Sequence, residues 1–154
     1  MGLSISDHMR TLAIDFGTRR IGLAMSDEGG RFATPVDVLH VNSPDQAVPT
    51  ILALIRKEGV ERLVVGLPLN MDDSIGPSAR STMTWARNLA KESAAILIFV
   101  DERLSSFAAE QDLNDRKRGG EKMTRKQKKG KLDALAAQGF LQAFLDGKLG
   151  AIEV

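Results

Sequence analysis

The sequence predicts one α/β domain in which an antiparallel meander of three strands leads into parallel βαβ units. Two features of the pattern carry this expectation. Residues 11–26 read as a strand, a tight turn and a return strand. Leu12, Ala13 and Ile14 form a short apolar run, Gly17 and Thr18 supply the turn, and Ile21, Leu23 and Met25 alternate with smaller or polar residues. Further on, stretches with helical periodicity alternate with short apolar runs. A helix between two strands makes a crossover, which favours parallel pairing. The length of 154 residues suits a single domain.

The elements follow in order. Met1–Arg10 lacks the apolar segment of a signal peptide and is expected to be a loose leader. The domain is expected over residues 10–147, with a leader at 1–9 and a tail at 148–154. After the first hairpin, Glu28-Gly-Gly30 signals a turn, and Phe32–Val41 reads as a third strand in which Pro35 marks an edge or an irregular start. Asn42 or Ser43 can cap a helix in which Ala47, Val48, Ile51, Leu52 and Ile55 share a face, and Gly59 stops it. Arg62–Leu67 is a buried strand. Pro68–Pro77 is a loop just past that strand's C-terminal end, where open α/β sheets place their sites. Asn70, Asp72 and Ser74 are its candidate site residues.

Pro77 suits the first turn of the next helix, whose inward stripe is Ala79, Met83, Ala86, Leu89 and Ala90. Trp85 is expected to pack within the core. Ala95–Val100 is apolar on both faces, which predicts a central strand. Ser105 or Ser106 caps a helix to about Arg116. Residues 116–129 read as a mobile loop, helical near its end, and the last helix is expected from about Gly130 to Asp146.

Composition narrows the function. The absence of Cys excludes disulfides and thiolate metal sites and suits a reducing cytoplasm. No apolar run approaches the roughly 20 residues that span a bilayer, so no membrane partner is expected. Between Arg116 and Lys131 there are nine Lys or Arg and one acid, Glu121. That segment carries +8, leaving −7 on the rest of a chain whose net charge is +1. A basic stretch on an acidic body suits a polyanion, although a solvated charged loop has the same composition. His8 and His40, the two histidines, sit in no metal-ligand pattern.

Three acids fall where burial is costly without a cation. Asp15 ends the first strand, Glu102 follows the fifth, and Asp133 shares a helical face with Ala136, Ala137, Phe140 and Phe144. Asp15 in such a place also suits an Asx turn. If the first and fifth strands are neighbours, Asp15 and Glu102 come together, and a last helix packed across the sheet adds Asp133 in its first turn. Three carboxylates about 5 Å apart repel by about 3 kcal/mol per pair at an effective dielectric near 20. A hard divalent cation removes that repulsion. Mg²⁺ fits an all-oxygen site with few protein ligands, and Mn²⁺ could replace it. Such ions activate water and stabilise the leaving oxygen in phosphodiester cleavage.

These residues resemble a known family. Asp15-Phe-Gly-Thr-Arg-Arg-Ile-Gly-Leu-Ala, Gly66-Leu-Pro-Leu-Asn-Met-Asp, Asp101-Glu-Arg-Leu-Ser-Ser and Gly130-Lys-Leu-Asp-Ala-Leu-Ala-Ala resemble four motifs of the YqgF-type bacterial proteins. These are Holliday-junction-resolvase-like nucleases of pre-16S ribosomal RNA. The resemblance spans about Arg10 to Asp146. It implies an RNase H-like fold, a five-stranded mixed sheet with helices on both sides. It also implies a metal-dependent nuclease acting in 5′-end maturation of small-subunit rRNA, with Asp15, Glu102 and Asp133 as catalytic acids and metal ligands. The chain departs from the pattern in two places. Ala108 stands where many relatives carry an acid, which removes a capping box. Asp72-Asp73 stands where Asp-Gly is common.

On this reading Arg19, Arg103, Arg125, Lys126, Lys128, Lys129 and Lys131 contact phosphates. With no Tyr and one Trp, recognition of structured RNA or branched DNA by shape and backbone fits better than base stacking. Two alternatives remain open: a Holliday-junction-type DNA endonuclease, and a non-catalytic ribosome-assembly or transcription factor on the same fold. Asp-Phe-Gly-Thr before a second strand also resembles the phosphate-binding hairpin of the actin and sugar-kinase superfamily. Those proteins need two such domains, and this chain has room for one. Homodimerisation is left open.

Overall fold

The computed structural model describes residues 9–103 and 125–154, with the stretch 125–134 given as helix path only. The strands are β1 (Thr11–Asp15), β2 (Arg20–Ser26), β3 (Ala33–His40), β4 (Arg62–Leu67) and β5 (Ile96–Asp101). The helices are α1 (Val48–Glu58), α2 (Pro77–Ser93) and α3 (Arg125–Leu145), with a 3-10 turn at Pro44–Ala47 ahead of α1. All five strands form one mixed sheet in the order β3-β2-β1-β4-β5. The first three are an antiparallel meander, and β4 and β5 extend it in parallel. The predicted fold class is the one observed.

Each face of the sheet has its own core. Leu12 and Ile14 of β1, Leu63 and Val65 of β4, and Phe99 of β5 share one face with Ile51 and Ile55 of α1 and Met83, Ala86 and Leu89 of α2. Ala13, Ala24, Ala33, Val64 and Val100 form the other, against Ala137, Phe140 and Leu141 of α3. Successive residues of a strand point to opposite faces, so the run Leu12-Ala-Ile14 is apolar throughout because both faces are covered. The α3 face is lined by small residues, which lets that helix approach the sheet closely. Two glutamines pin it there. Gln138 donates to the carbonyl of Ala33 at 3.0 Å, and the Ala33 N–H donates to Gln142 at 2.8 Å. Trp85 is packed as expected, its ring centroid 4.9 Å from that of Phe16 and its Nε1 donating to the Pro44 carbonyl at 3.3 Å.

Three expectations are corrected. First, β5 is an edge strand rather than a central one, and β1 holds the middle. Both faces of β5 are covered, Phe99 facing one core and Val100 the other, which explains its apolar pattern. Its outer edge receives part of the C-terminal segment, with the Ile152 N–H donating to the Phe99 carbonyl at 2.7 Å. Second, β1 and β5 are not neighbours, because β4 lies between them. Third, α3 begins at Arg125, not near Gly130. The basic residues 125–131 are therefore helical, and Asp133 sits beyond the first turn, where the helix dipole contributes little. The helix expected at 105–116, Ala108 within it, His8 and the basic residues 116–124 lie outside the described residues.

One cap is strained. Ala94 ends α2 in the left-handed region with φ +60°, a conformation costing a residue with a Cβ about 1–2 kcal/mol. Its side chain is exposed. Ala94→Gly is expected to stabilise the fold by about 0.5–1 kcal/mol, the relief exceeding the added chain entropy. Urea denaturation of both proteins checks this, and a lower midpoint for Ala94→Gly would contradict it.

Candidate active site

The C-terminal ends of β1, β4 and β5 lie side by side, and Asp15, Gly66 and Glu102 meet there. Ala13, Val64 and Val100 all face α3, so residues two further along each strand, Asp15, Gly66 and Glu102, belong to the same face. The parallel register pairs Ile14 with Val65 and Gly66 with Val100, which brings Asp15 level with Gly66. On its other side Asp15 is paired with Gly22 of β2. The carboxylate thus stands between two positions that have no side chain.

Gly66 makes room for Glu102. A Cβ built at 66 would lie 2.8 Å from the Glu102 Cβ, 3.0 Å from its Oε2 and 3.0 Å from the Phe140 ring. The Glu102 side chain therefore folds back across β4, toward β1, over the one residue that leaves space for it. Gly66 presents no side chain to block that path on this face. Both acids are half-buried, and both have partners within the protein.

Asp133 approaches from α3. Phe140 sits against Gly66, and the Phe144 ring lies 4.9 Å from the Arg62 guanidinium at the opposite end of β4. α3 therefore runs antiparallel to β4, and its earlier residues lie toward the strand ends that carry Asp15 and Glu102. Asp133 is two turns before Phe140, about 10 Å along the axis. Among the described side chains there is no group of three or more His, Cys, Asp or Glu able to hold a metal. Asp133 falls among the residues given as helix path only.

The turn before β2 is equally constrained. A Cβ at Gly17 would lie 2.5 Å from the Arg20 carbonyl oxygen, so only glycine closes this turn. Arg19 is exposed on it. His40 is exposed at the end of β3.

The loop between β4 and α2 is tied to itself and to β5. The Asn70 N–H donates to the Ser74 carbonyl at 3.0 Å, and the Asp73 N–H to the Asn70 carbonyl at 2.9 Å. Asn70 Nδ2 donates to Ser74 Oγ, while Asp72 Oδ1 accepts from both the Ser74 N–H and its hydroxyl. Those bonds, the hydroxyl first, hold the Asp72 carboxyl below its ordinary value. Met71 projects from the loop almost fully exposed. Arg103, expected among the phosphate contacts, is engaged inside the protein. Its Nε donates to Asp101 at 2.9 Å, its Nη2 to Asp101 and Asp73 at 2.6 Å each, and its Nη1 to the Asn70 carbonyl at 2.7 Å. The sequence offered no assigned role for Gly66, Asp73 or Asp101. A glycine interrupting the buried run Arg62-Leu-Val-Val-Gly-Leu is the one signal that marked the first of them.

Two outcomes follow from this geometry. Gly66→Ala must displace the Glu102 backbone-proximal atoms or the Phe140 ring, neither of which is a flexible chain end. It is expected to destabilise the fold by about 1–3 kcal/mol, as overpacking does, and calorimetry checks this. The Asp101 carboxyl is held below its ordinary value chiefly by the Arg103 side chain, with the Arg103 backbone N–H adding to it. A carboxyl depressed in the folded state contributes stability above its unfolded value near 4 and loses it as pH falls through the lower folded value. Wild type should therefore lose more stability than Asp101→Asn between pH 5 and pH 3. Parallel pH curves would remove Asp101 from the account.

Comparison with known proteins bears on all of this. A family model described as "RuvX: Holliday junction resolvase" matches residues 9–147. A protein of Opitutus terrae is 43% identical over 139 residues, covering 90% of this chain and 92% of its own, and one of Acidiphilium cryptum is 41% identical over 137 residues, covering 89% and 84%. Both carry the name "Putative pre-16S rRNA nuclease". Among solved structures, Thermus thermophilus RuvC superposes with a TM-score of 0.57 at 16% identity, over 94% of this chain and all of that one. The same enzyme in complex with a Holliday junction substrate gives 0.55 at 15% identity, with the same coverage. These two likenesses concern the fold, which is therefore RNase H-like in the manner of RuvC. With a family match over nearly its whole length and relatives above 40% identity, this chain belongs to the RuvX family.

Proposed function

We propose that the protein is a metal-dependent nuclease that hydrolyses phosphodiester bonds of precursor 16S rRNA at its 5′ end in the cytoplasm. The observation that carries the reading is the placement of Asp15 and Glu102 on one face, across Gly66, at the end of the sheet toward which α3 brings Asp133. The relatives' names support the substrate. The family description and the junction-bound RuvC favour a second substrate, the four-way DNA junction.

Carboxylates that converge beside two glycines suit a hard divalent ion. Their oxygens are the donors such ions take, and the missing side chains leave space for an ion and a phosphate. Asp15, Glu102 and Asp133 would hold Mg²⁺ or Mn²⁺, which supplies charge to offset their repulsion and to activate water for hydrolysis. The chain's own groups do the rest. Asp15 and Glu102 would present ligand oxygens to the ion from a rigid sheet end, and Arg19 stands exposed on the adjoining turn to meet a neighbouring phosphate. Arg125, Lys126, Lys128, Lys129 and Lys131 occupy the first two turns of α3. Five cations at the positive end of a helix dipole are mutually unfavourable, and a polyanion relieves that. Among the described residues no helix is long and apolar enough to cross a membrane.

The test is cleavage of end-labelled precursor rRNA and of a four-way DNA junction with Mg²⁺, Mn²⁺ or EDTA. Wild type should cut the RNA with metal only, and the product ends distinguish endonuclease from exonuclease action. Asp15→Asn, Glu102→Gln and Asp133→Asn should each lower the rate by on the order of a hundredfold or more while RNA binding survives. Preferential cutting of the junction would make the DNA the substrate. Binding without cutting under every condition would make the protein a non-catalytic factor.

A further inference from the structure

We infer that Arg103 is a positioning residue, a clasp that fastens the loop of residues 68–76 to the end of β5, and that it does not itself bind phosphate. The catalytic part of this inference rests on the nuclease reading above.

The donor count comes first. A guanidinium has five N–H groups. Nε is taken by Asp101, Nη2 by Asp101 and Asp73, and one Nη1 hydrogen by the Asn70 carbonyl, which leaves one. The charge count agrees. One cation lies between two carboxylates, so the cluster presents −1 to an approaching phosphate, and Arg103 has no field to offer it.

The geometry is that of a clasp. Asp101 and Arg103 belong to the end of β5, whereas Asp73 and Asn70 belong to the loop. Four residues of that loop, Asn70, Asp72, Asp73 and Ser74, are joined to one another by hydrogen bonds, so fixing it at Asn70 and Asp73 fixes it as a unit. Asp73 has φ +69°, which a residue with a Cβ adopts at a cost. Glycine would fit that backbone better but could not reach Arg103. The clasp also spans the backbone of Glu102, the residue between Asp101 and Arg103. The Arg103 N–H donates to Asp101 Oδ1 at 3.0 Å, which bends the chain at the residue between them. Arg103 therefore sets both the loop and the backbone that aims Glu102 across Gly66.

A planar fork with bidentate geometry cannot be replaced by a lysine ammonium, whereas a phosphate contact largely can. Wild type, Arg103→Lys, Arg103→Ala and Asp73→Asn are compared in two assays. Amide hydrogen exchange of residues 69–75 is measured on the free proteins, and steady-state cleavage of labelled precursor rRNA is measured across a salt series. Asp73→Asn is the mild variant, since Asn accepts the left-handed backbone and the side chain is exposed. All three variants should exchange faster over 69–75. Both Arg103 variants should lose kcat on the order of tenfold with KM little changed and the salt slope of binding retained, and Asp73→Asn should move the same way by less. The clasp is overturned if exchange is unchanged, if Arg103→Lys keeps wild-type kcat, if Asp73→Asn tightens binding, or if Arg103→Ala raises KM and lowers the salt slope by about 0.7–0.9. If wild type cuts nothing, the nuclease reading fails, and the exchange data still decide the clasp.

Discussion

The space over Gly66 is the constraint on which the rest depends. Phe140 belongs to the core between α3 and the sheet, and Glu102 belongs to the site. Both press on the volume that a single methyl group would fill. The seating of α3 and the aim of Glu102 are thereby coupled. Phe140 cannot withdraw without opening a void in a core it shares with Leu141, alanines and valines, and Glu102 cannot straighten without leaving the space over Gly66. Phe140 also fixes the height of α3 on β4. A packing contact therefore governs both the seating of the helix and the path of Glu102.

The end of β5 divides its labour by the alternation of an extended chain. Asp101 and Glu102 are adjacent and carry the same charge, yet their roles separate. Asp101 takes Arg103 and, through it, the loop beyond β4. Glu102 turns to the α3 face and lies over Gly66. One strand end thus supplies both a structural ion pair and a carboxylate directed to the opposite face. The hydrogen bond from the Arg103 N–H back to Asp101 is what lets these diverge within three residues. The pair is partly exposed, so its worth lies in the geometry it imposes rather than in stability.

The fold was legible because its signals are local. The periodicity of 11–26, the glycine after α1 and the proline opening α2 each fix an element without reference to anything distant. Strand order was not legible in the same way. β5 reads as central because both its faces are apolar, yet burial of faces says nothing about edges, and the segment around Ile152 that reaches its edge gives no strand signal of its own. The burial argument singled out the acids, but the condition it set for Asp15 and Glu102, neighbouring first and fifth strands, is not met. Their strands are separated by β4, and the room left over Gly66 is what the Glu102 side chain occupies. The partners of Arg103 were hidden for a related reason. A cation beside an acidic motif suggests phosphate, and the bond to Asp73, 30 residues away in sequence, is visible only in three dimensions.

The distribution of charge follows from the same architecture. The body carries −7 and the stretch 116–131 carries +8, and the two halves of that asymmetry are placed differently. Acids at the strand ends are held by packing, by glycine spacing and by the Arg103 clasp, so their positions are set before any ligand arrives. Cations crowd the start of α3. They sit where a helix end repels them, and no acid occupies that first turn to compensate. A site that must hold three carboxylates together needs rigid elements, because repulsion would otherwise spread them. A surface that tracks a phosphate backbone needs only charge density, and gains when binding relieves its own repulsion. Among the described side chains α3 is buried from Leu135 onward, and the rigid part of the helix is the part packed on the sheet through Ala137, Phe140 and Leu141.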